Sequence, residues 1–292
     1  MLVATSAHEA QVQLDAPQTD ALVRNIGIPP RPATLAELQG EIGKDDPDFR
    51  RIARLVGADV ALTAALLRVV NSPAFAASRR IETVDQAISM LGLKQVGVTV
   101  TGLLLRKALR TDGPTLTRFW DVSSKRSYAL AQLAKGLGGV DADVAQSFGL
   151  FCDVGIPLLM QRFPDYGGTL KACNDEPGRS FTEVEQATHD TDHALVGGLM
   201  ARSWGLSQTV CLAIRLHHDY GIFQDPDVPD AVARLIAMGL IAEVAIQRFA
   251  GLNTSTEWTK GGEQAGGALM LNDEDLDDWI ERLLEGFALG TA

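Results

Sequence analysis

Apolar positions recur at intervals of three and four along most of the chain, and no stretch sustains an alternation of period two. Thr34 and Glu37 have capping-box spacing around Leu35 and Leu38, which predicts a helix start there. Ile52, Leu55 and Val56 form the next apolar stripe. Val60 to Val70 forms a third, stopped by Asn71-Ser72-Pro73. Thr83 and Gln86 repeat the capping spacing before a helix through Leu91, which Gly92 ends. Val96 to Leu109 is strongly apolar and predicts a buried helix, and Thr111-Asp112-Gly113-Pro114 then breaks the pattern. Further helices are predicted over Leu116 to Leu137, Ala142 to Phe151, Tyr166 to Cys173, Glu183 to His189, Ala194 to Trp204 and Gln208 to His218. Thr182 and Glu185 again have the spacing of a capping box. Asp230 to Phe249 is a long amphipathic helix, and Leu276 to Leu284 is a short last one. Residues 1 to 25 are polar and irregular and predict a flexible segment. Residues 253 to 270 are rich in Gly, Thr and Ser and predict a mobile loop.

The pattern is that of an all-α protein. It divides into a flexible segment (1–25), an N-terminal helical sub-domain (26–112), a second helical sub-domain (113–250), and a loop with a C-terminal helix (251–292). Composition agrees, since 46% of the 292 residues are hydrophobic and only 6% aromatic, a mix suited to closely packed helices. No uninterrupted apolar run reaches the roughly 18 residues of a membrane span. The first residues lack the basic and apolar regions of a secretory signal, so a cytoplasmic setting without membrane partners is expected. Cys152, Cys173 and Cys211 are isolated in sequence, which predicts reduced thiols rather than a disulfide framework. The formal net charge of −11 repels phosphate, so nucleic acid is not expected as a direct ligand. The basic groups Arg50, Arg51 and Arg54, and Arg79 with Arg80, read as solvated helix faces or loops.

Chemistry concentrates in the second half. Of 5 histidines, His193, His217 and His218 fall close together, behind Asp153 in Cys152-Asp153-Val154-Gly155. Imidazole and carboxylate groups on several helices of a bundle are the donors from which an Fe, Mn or Zn site is built. Simpler roles compete. Asp192 and Asp219 are placed to cap helices, and Cys152 is small enough to be a buried hydrophobe. On a continuous helix the rings of His217 and His218 would point about 100° apart, so only one would face a given site.

The order of motifs resembles the HDOD family. The matching marks are Ile28-Pro29-Pro30-Arg31-Pro32, Ala61-Leu62-Thr63-Ala64-Ala65-Leu66-Leu67-Arg68, Val70-Asn71-Ser72-Pro73 and Ala87-Ile88-Ser89-Met90-Leu91-Gly92. Phe119-Trp120, Gly149 to Gly155, Asp192 to Gly197, Ser203-Trp204-Gly205-Leu206 and Ile214 before His217-His218 complete the series. The resemblance covers about residues 24 to 250 and implies an HD-domain-like multi-helix bundle preceded by an N-terminal helical sub-domain. HDOD domains resemble HD and HD-GYP metal phosphohydrolases, whose histidines and aspartates hold the metal that activates water. In that alignment Val122 stands at the first His, Cys152 at the His of the His-Asp pair, and Gly239 at the late Asp. Asp153, His193, His217 and His218, with Cys152 beside them, remain as a remnant or ligand site, with Asp153, His193 and His217 as weak metal candidates. The resemblance therefore implies a non-catalytic signal-transduction module with no expected cofactor. It would act through protein–protein or ligand binding, with two-component or cyclic-di-GMP signalling proteins as partners. Its alternative is a degenerate metal-dependent phosphohydrolase of a nucleotide or cyclic dinucleotide, with Fe, Mn or Zn. The oligomeric state is left open.

Overall fold

The computed structural model describes residues 6–16, 19–72, 80–109, 114–252 and 256–289. Among these residues there are only helices and turns, and no strand. Pro73, Arg79 and the Thr111-Asp112-Gly113 break lie outside the described residues.

Five helices make the first unit: α3 (Ala33–Ile42), α4 (Phe49–Gly57), α5 (Val60–Val70), α6 (Val84–Leu91) and α7 (Leu93–Ala108). Their buried stripes, such as Leu35 and Leu38, Ile52 and Val56, and Leu62 and Leu66, follow the 3.6 period that the sequence displays. Asp48, Asp59 and Thr83 cap α4, α5 and α6 by accepting from backbone N–H groups three residues on. The Thr34–Glu37 box does not form. Helix α3 starts after Pro32, which presets the helical entry without a side-chain bond.

The second unit is organised around α8 (Pro114–Leu137), which lies along α9 (Ala142–Phe151) and α15 (Asp230–Phe249). Helices α10 (Gly155–Arg162), α11 (Tyr166–Asp175), α12 (Phe181–His189), α13 (His193–Ser203) and α14 (Gln208–Leu216) complete it, with α13 against α10 and α14, and α14 against α9 and α15. A 3-10 turn, Tyr220–Gln224, follows α14. One stretch, Ala142–Arg162, has the length and mean hydropathy (1.2) of a membrane span. It is instead two helices, α9 and α10, divided by a turn at 152–154 and packed into the core. One apolar cluster runs from Ala7 to Phe287, so the two units share their interior.

Two segments expected to lack regular structure are helical. The segment expected to be flexible forms α1 (Ala7–Asp15) and α2 (Thr19–Ile26), and both pack on α13. Its apolar content is thin, but Ala7, Ala10 and Leu14 share one helix face and are all buried. Its polar residues are used in tertiary contacts: Gln13 accepts from Arg215 Nε at 2.8 Å, and Asp15 pairs with Arg202 at 2.9 Å. The expected mobile loop is largely helix α16 (Thr256–Leu269), followed by α17 (Asp273–Ala288). The glycines that suggest a loop are there for close packing. A Cβ on Gly261 would lie 2.5 Å from the Tyr220 ring, and α16 lies against α15. The Thr182–Glu185 box is displaced too. Ser180 and Glu183 form it, which leaves Glu185 free for the interior.

Because Leu14 is 1% exposed and packs within the common core, Leu14→Ala should cost about 2–5 kcal/mol in chemical denaturation. A cost below about 0.5 kcal/mol, typical of surface positions, would show that α1 does not dock.

Candidate functional site

The site forms where the turn between α9 and α10 meets the first turn of α13 and the end of α14. Gly155 makes the approach possible, since a Cβ there would lie 2.1 Å from the His193 carbonyl oxygen. The close packing brings Asp153 beside His193. Asp192 caps α13 as expected, accepting from Leu195 N at 2.7 Å, and also from Gln186 Nε2 at 2.6 Å. Helix α14 ends at Leu216, with His217 as its cap residue and His218 beyond it. The helical 100° rule therefore does not apply. Both rings face the same space, with centroids 4.1 Å apart.

The two inner histidines have their tautomers fixed by their partners. His193 Nδ1 lies 2.7 Å from Glu185 Oε2, and His217 Nδ1 lies 2.7 Å from the Ile214 carbonyl. Both acceptors demand a donor, so both Nδ1 atoms carry hydrogen. The Nε2 atoms then face each other at 3.2 Å, with Asp153 Oδ1 3.4 Å from His217 Nε2. Two lone pairs at that distance repel unless a proton lies between them. Burial opposes this proton on His193, but Glu185, and after it Asp153, outweighs burial and raises the ring to about 9. For His217 burial is likewise opposed by Cys152 and Asp153, and the ring is raised to about 9. The geometry leaves room for one proton, which belongs to the pair. His218 goes the other way: burial, reinforced by His217, lowers it to about 4. Its neutral ring donates from Nδ1 to Glu257 Oε2 at 2.6 Å, where the Tyr220 hydroxyl also donates at 2.5 Å.

Behind the histidines the interior stays polar. Glu185, fully buried on α12, accepts from the Tyr166 hydroxyl and, at 3.2 Å, from His193 N. In front of them stands Arg126, one helical turn beyond Val122 on α8. Arg126 Nη1 donates to Asp153 Oδ2 at 2.6 Å, and Nη2 to Glu243 Oε2 at 2.8 Å. Glu243 lies one turn beyond Gly239 on α15. Burial would raise the Asp153 carboxyl, but the Arg126 guanidinium holds it well below the usual range.

Among the described residues, two donor sets are close enough to hold a metal: His193, His217 and His218, and Cys152, Asp153 and His217. The imidazoles alone could take one ion in place of the shared proton. A hydrolytic metal centre does not fit. Val122 and Gly239 line the cavity without a donor atom, and Arg126 already occupies Asp153 Oδ2 and Glu243 Oε2. Cys152 is 4% exposed at the floor of the cavity.

The cavity in front of this cluster measures about 740 Å³. Its inner end is polar. Its walls are apolar, with Ile156, Leu170, Phe181, Leu240 and Ile246, and Arg118 and Lys125 lie among the lining residues. Every site residue singled out in the sequence, Cys152, Asp153, His193, His217 and His218, lines this one cavity. The sequence reading misses Arg126, Glu185, Glu243 and Glu257. For Arg126 and Glu243 a signal exists: each follows by four residues on a helix a position, Val122 or Gly239, where the family resemblance expects a ligand, so it shares that position's face. Glu257 sits in the segment read as a loop, and Glu185 in the displaced capping box.

A family model described as the HDOD domain matches residues 28–220. A protein of Treponema pallidum is 26% identical over 222 residues, which is 75% of this chain and 42% of that one. The chain thus spans less than half the length of this curated relative. Among solved structures, a candidate phosphohydrolase from Shewanella amazonensis has a TM-score of 0.70 at 21% identity, covering 93% of this chain and 96% of its own. A candidate signal transduction protein from Marinobacter aquaeolei has a TM-score of 0.73 at 20% identity, covering 99% of this chain and 67% of its own. At these identities the likeness is one of fold.

The raised histidine pair makes stability fall with alkali. A folded-state value of about 9 above the ordinary 6.5 contributes stability that is complete below pH 6.5 and lost as pH rises to about 9. The melting temperature should therefore drop across that window, and Glu185→Gln should flatten the drop. An unchanged slope in Glu185→Gln would show that the proton is not held in this way.

Proposed function

The chain belongs to the HDOD domain family, and on that premise we propose that it is a non-catalytic signal-transduction module of the cytoplasm. It acts through protein–protein or ligand binding, with signalling proteins of two-component or cyclic-di-GMP systems as its partners. What supports this reading is that Val122 and Gly239, which the family resemblance aligns with metal-ligand positions, line the cavity and carry no donor side chain. Metal-assisted hydrolysis needs an ion that keeps an open position for water and is itself held by three or more protein ligands. With those positions empty and the Asp153 carboxylate turned to Arg126, the cluster is left as a rigid polar floor. The cavity above it, about 740 Å³ with mainly apolar walls, is of the size and character of a small-molecule pocket. A ligand bound there would touch α8, α15 and α16 together, and so could bias the helical surfaces offered to partners.

Hydrolysis assays on bis(p-nitrophenyl) phosphate and cyclic dinucleotides, with Mn²⁺ or Fe²⁺ added, should show no turnover above buffer. Plasma mass spectrometry of untagged protein should find well under one Fe, Mn or Zn ion per chain. Turnover that disappears in Asp153→Ala would overturn the reading in favour of a degenerate phosphohydrolase acting on a nucleotide or cyclic dinucleotide.

A further inference from the structure

Asp153 and Glu243 come from different parts of the fold, the α9–α10 turn and α15, yet they converge on one side of the cavity. Two carboxylates brought together in a partly closed site repel, and in metal sites a cation lies between them. Here the group between them is the guanidinium of Arg126, 6% exposed, with one nitrogen on each carboxylate. We propose that Arg126 is a built-in replacement for a metal ion. It neutralises Asp153 and Glu243, ties α8 to the α9–α10 turn and to α15, and closes a latent divalent-cation site that the other residues still outline.

Three observations converge on this. First, the arginine takes the place of lost donors by simple helical geometry. Val122 and Arg126 share one face of α8, and Gly239 and Glu243 share one face of α15. Where α8 offers no ligand, the next turn delivers a cation. Where α15 offers none, the next turn delivers a carboxylate to meet it. Second, the bonds have the lengths of charge-assisted contacts, 2.6 and 2.8 Å. Glu243 is braced further, its other oxygen accepting from Gln247 Nε2 at 2.9 Å. Third, the remaining Asp153 oxygen still faces the Nε2 atoms of His217 at 3.4 Å and of His193 at 3.8 Å. Without the guanidinium, two carboxylates and two imidazole nitrogens would border one space.

The inference deepens the non-catalytic reading of the same cavity, and it is tested by binding rather than turnover. The probe is Mn²⁺, which suits carboxylate ligands, and the variant is Arg126→Met, close in length but uncharged. In EDTA, Arg126→Met should melt below the native chain, because the two carboxylates lose their counter-charge. Added Mn²⁺ should restore its melting temperature and leave that of the native chain unmoved. Titration calorimetry should show at least tenfold tighter Mn²⁺ binding in Arg126→Met than in the native chain, and Arg126→Met/Asp153→Asn should lose that gain. If Arg126→Met does not fold without metal, it is expressed and purified with Mn²⁺ present. Failure to recover a folded protein then overturns the proposal. Equal Mn²⁺ affinity in the native chain and the variant overturns it as well. Neither result touches the reading of the protein as non-catalytic, which falls only if the native chain hydrolyses phosphodiesters.

Discussion

A single buried guanidinium carries an unusual share of the second unit's architecture. Arg126 reaches from α8 to the turn between α9 and α10 and to α15, three segments that contribute little to one another through backbone bonding. Taking a charge out of water is costly, and only good geometry with complete pairing repays it. Once one member of such a pair is in place, the others cannot leave without stranding a charge, at about 3–5 kcal/mol. The positions of α8, α15 and the Asp153 turn are thereby tied to one another, and the cavity wall they form is fixed with them.

The rest of the polar floor follows from the same rule. Tyr166 donates to Glu185, Glu185 accepts from His193, the histidines share a proton, and Asp153 stands between that proton and Arg126. Each buried group has its partner along one line from α11 to α15, as interiors require. A network satisfied in this way is rigid. That rigidity fixes the floor of the cavity.

Parts of this were legible in the sequence and parts were not. The helices α9 and α15 have the bounds that their apolar spacing predicts, because that spacing records which face is buried. The five singled-out residues do meet in one cavity. Glycine was the main source of error. In α16 it reads as a loop because the same lack of a side chain that loosens a chain also lets a ring such as Tyr220 come close. Segment α1 reads as flexible because Ala7 and Ala10 carry little apolar weight, although both are buried. Glu185 has capping-box spacing with Thr182, but the box forms two residues earlier, at Ser180 and Glu183, and Glu185 turns into the interior.

The sequence by itself determined the all-helical class, the family membership and the presence of Val122 and Gly239, side chains without a donor atom, on α8 and α15, since periodicity and residue identity are local properties. Only the tertiary structure decided what fills those positions. Whether Arg126 points into a cavity or into water depends on where Asp153 and Glu243 are, and they lie far from it along the chain. A counter-charge is a property of space, and a chain without its fold has no way to state which residues will share one.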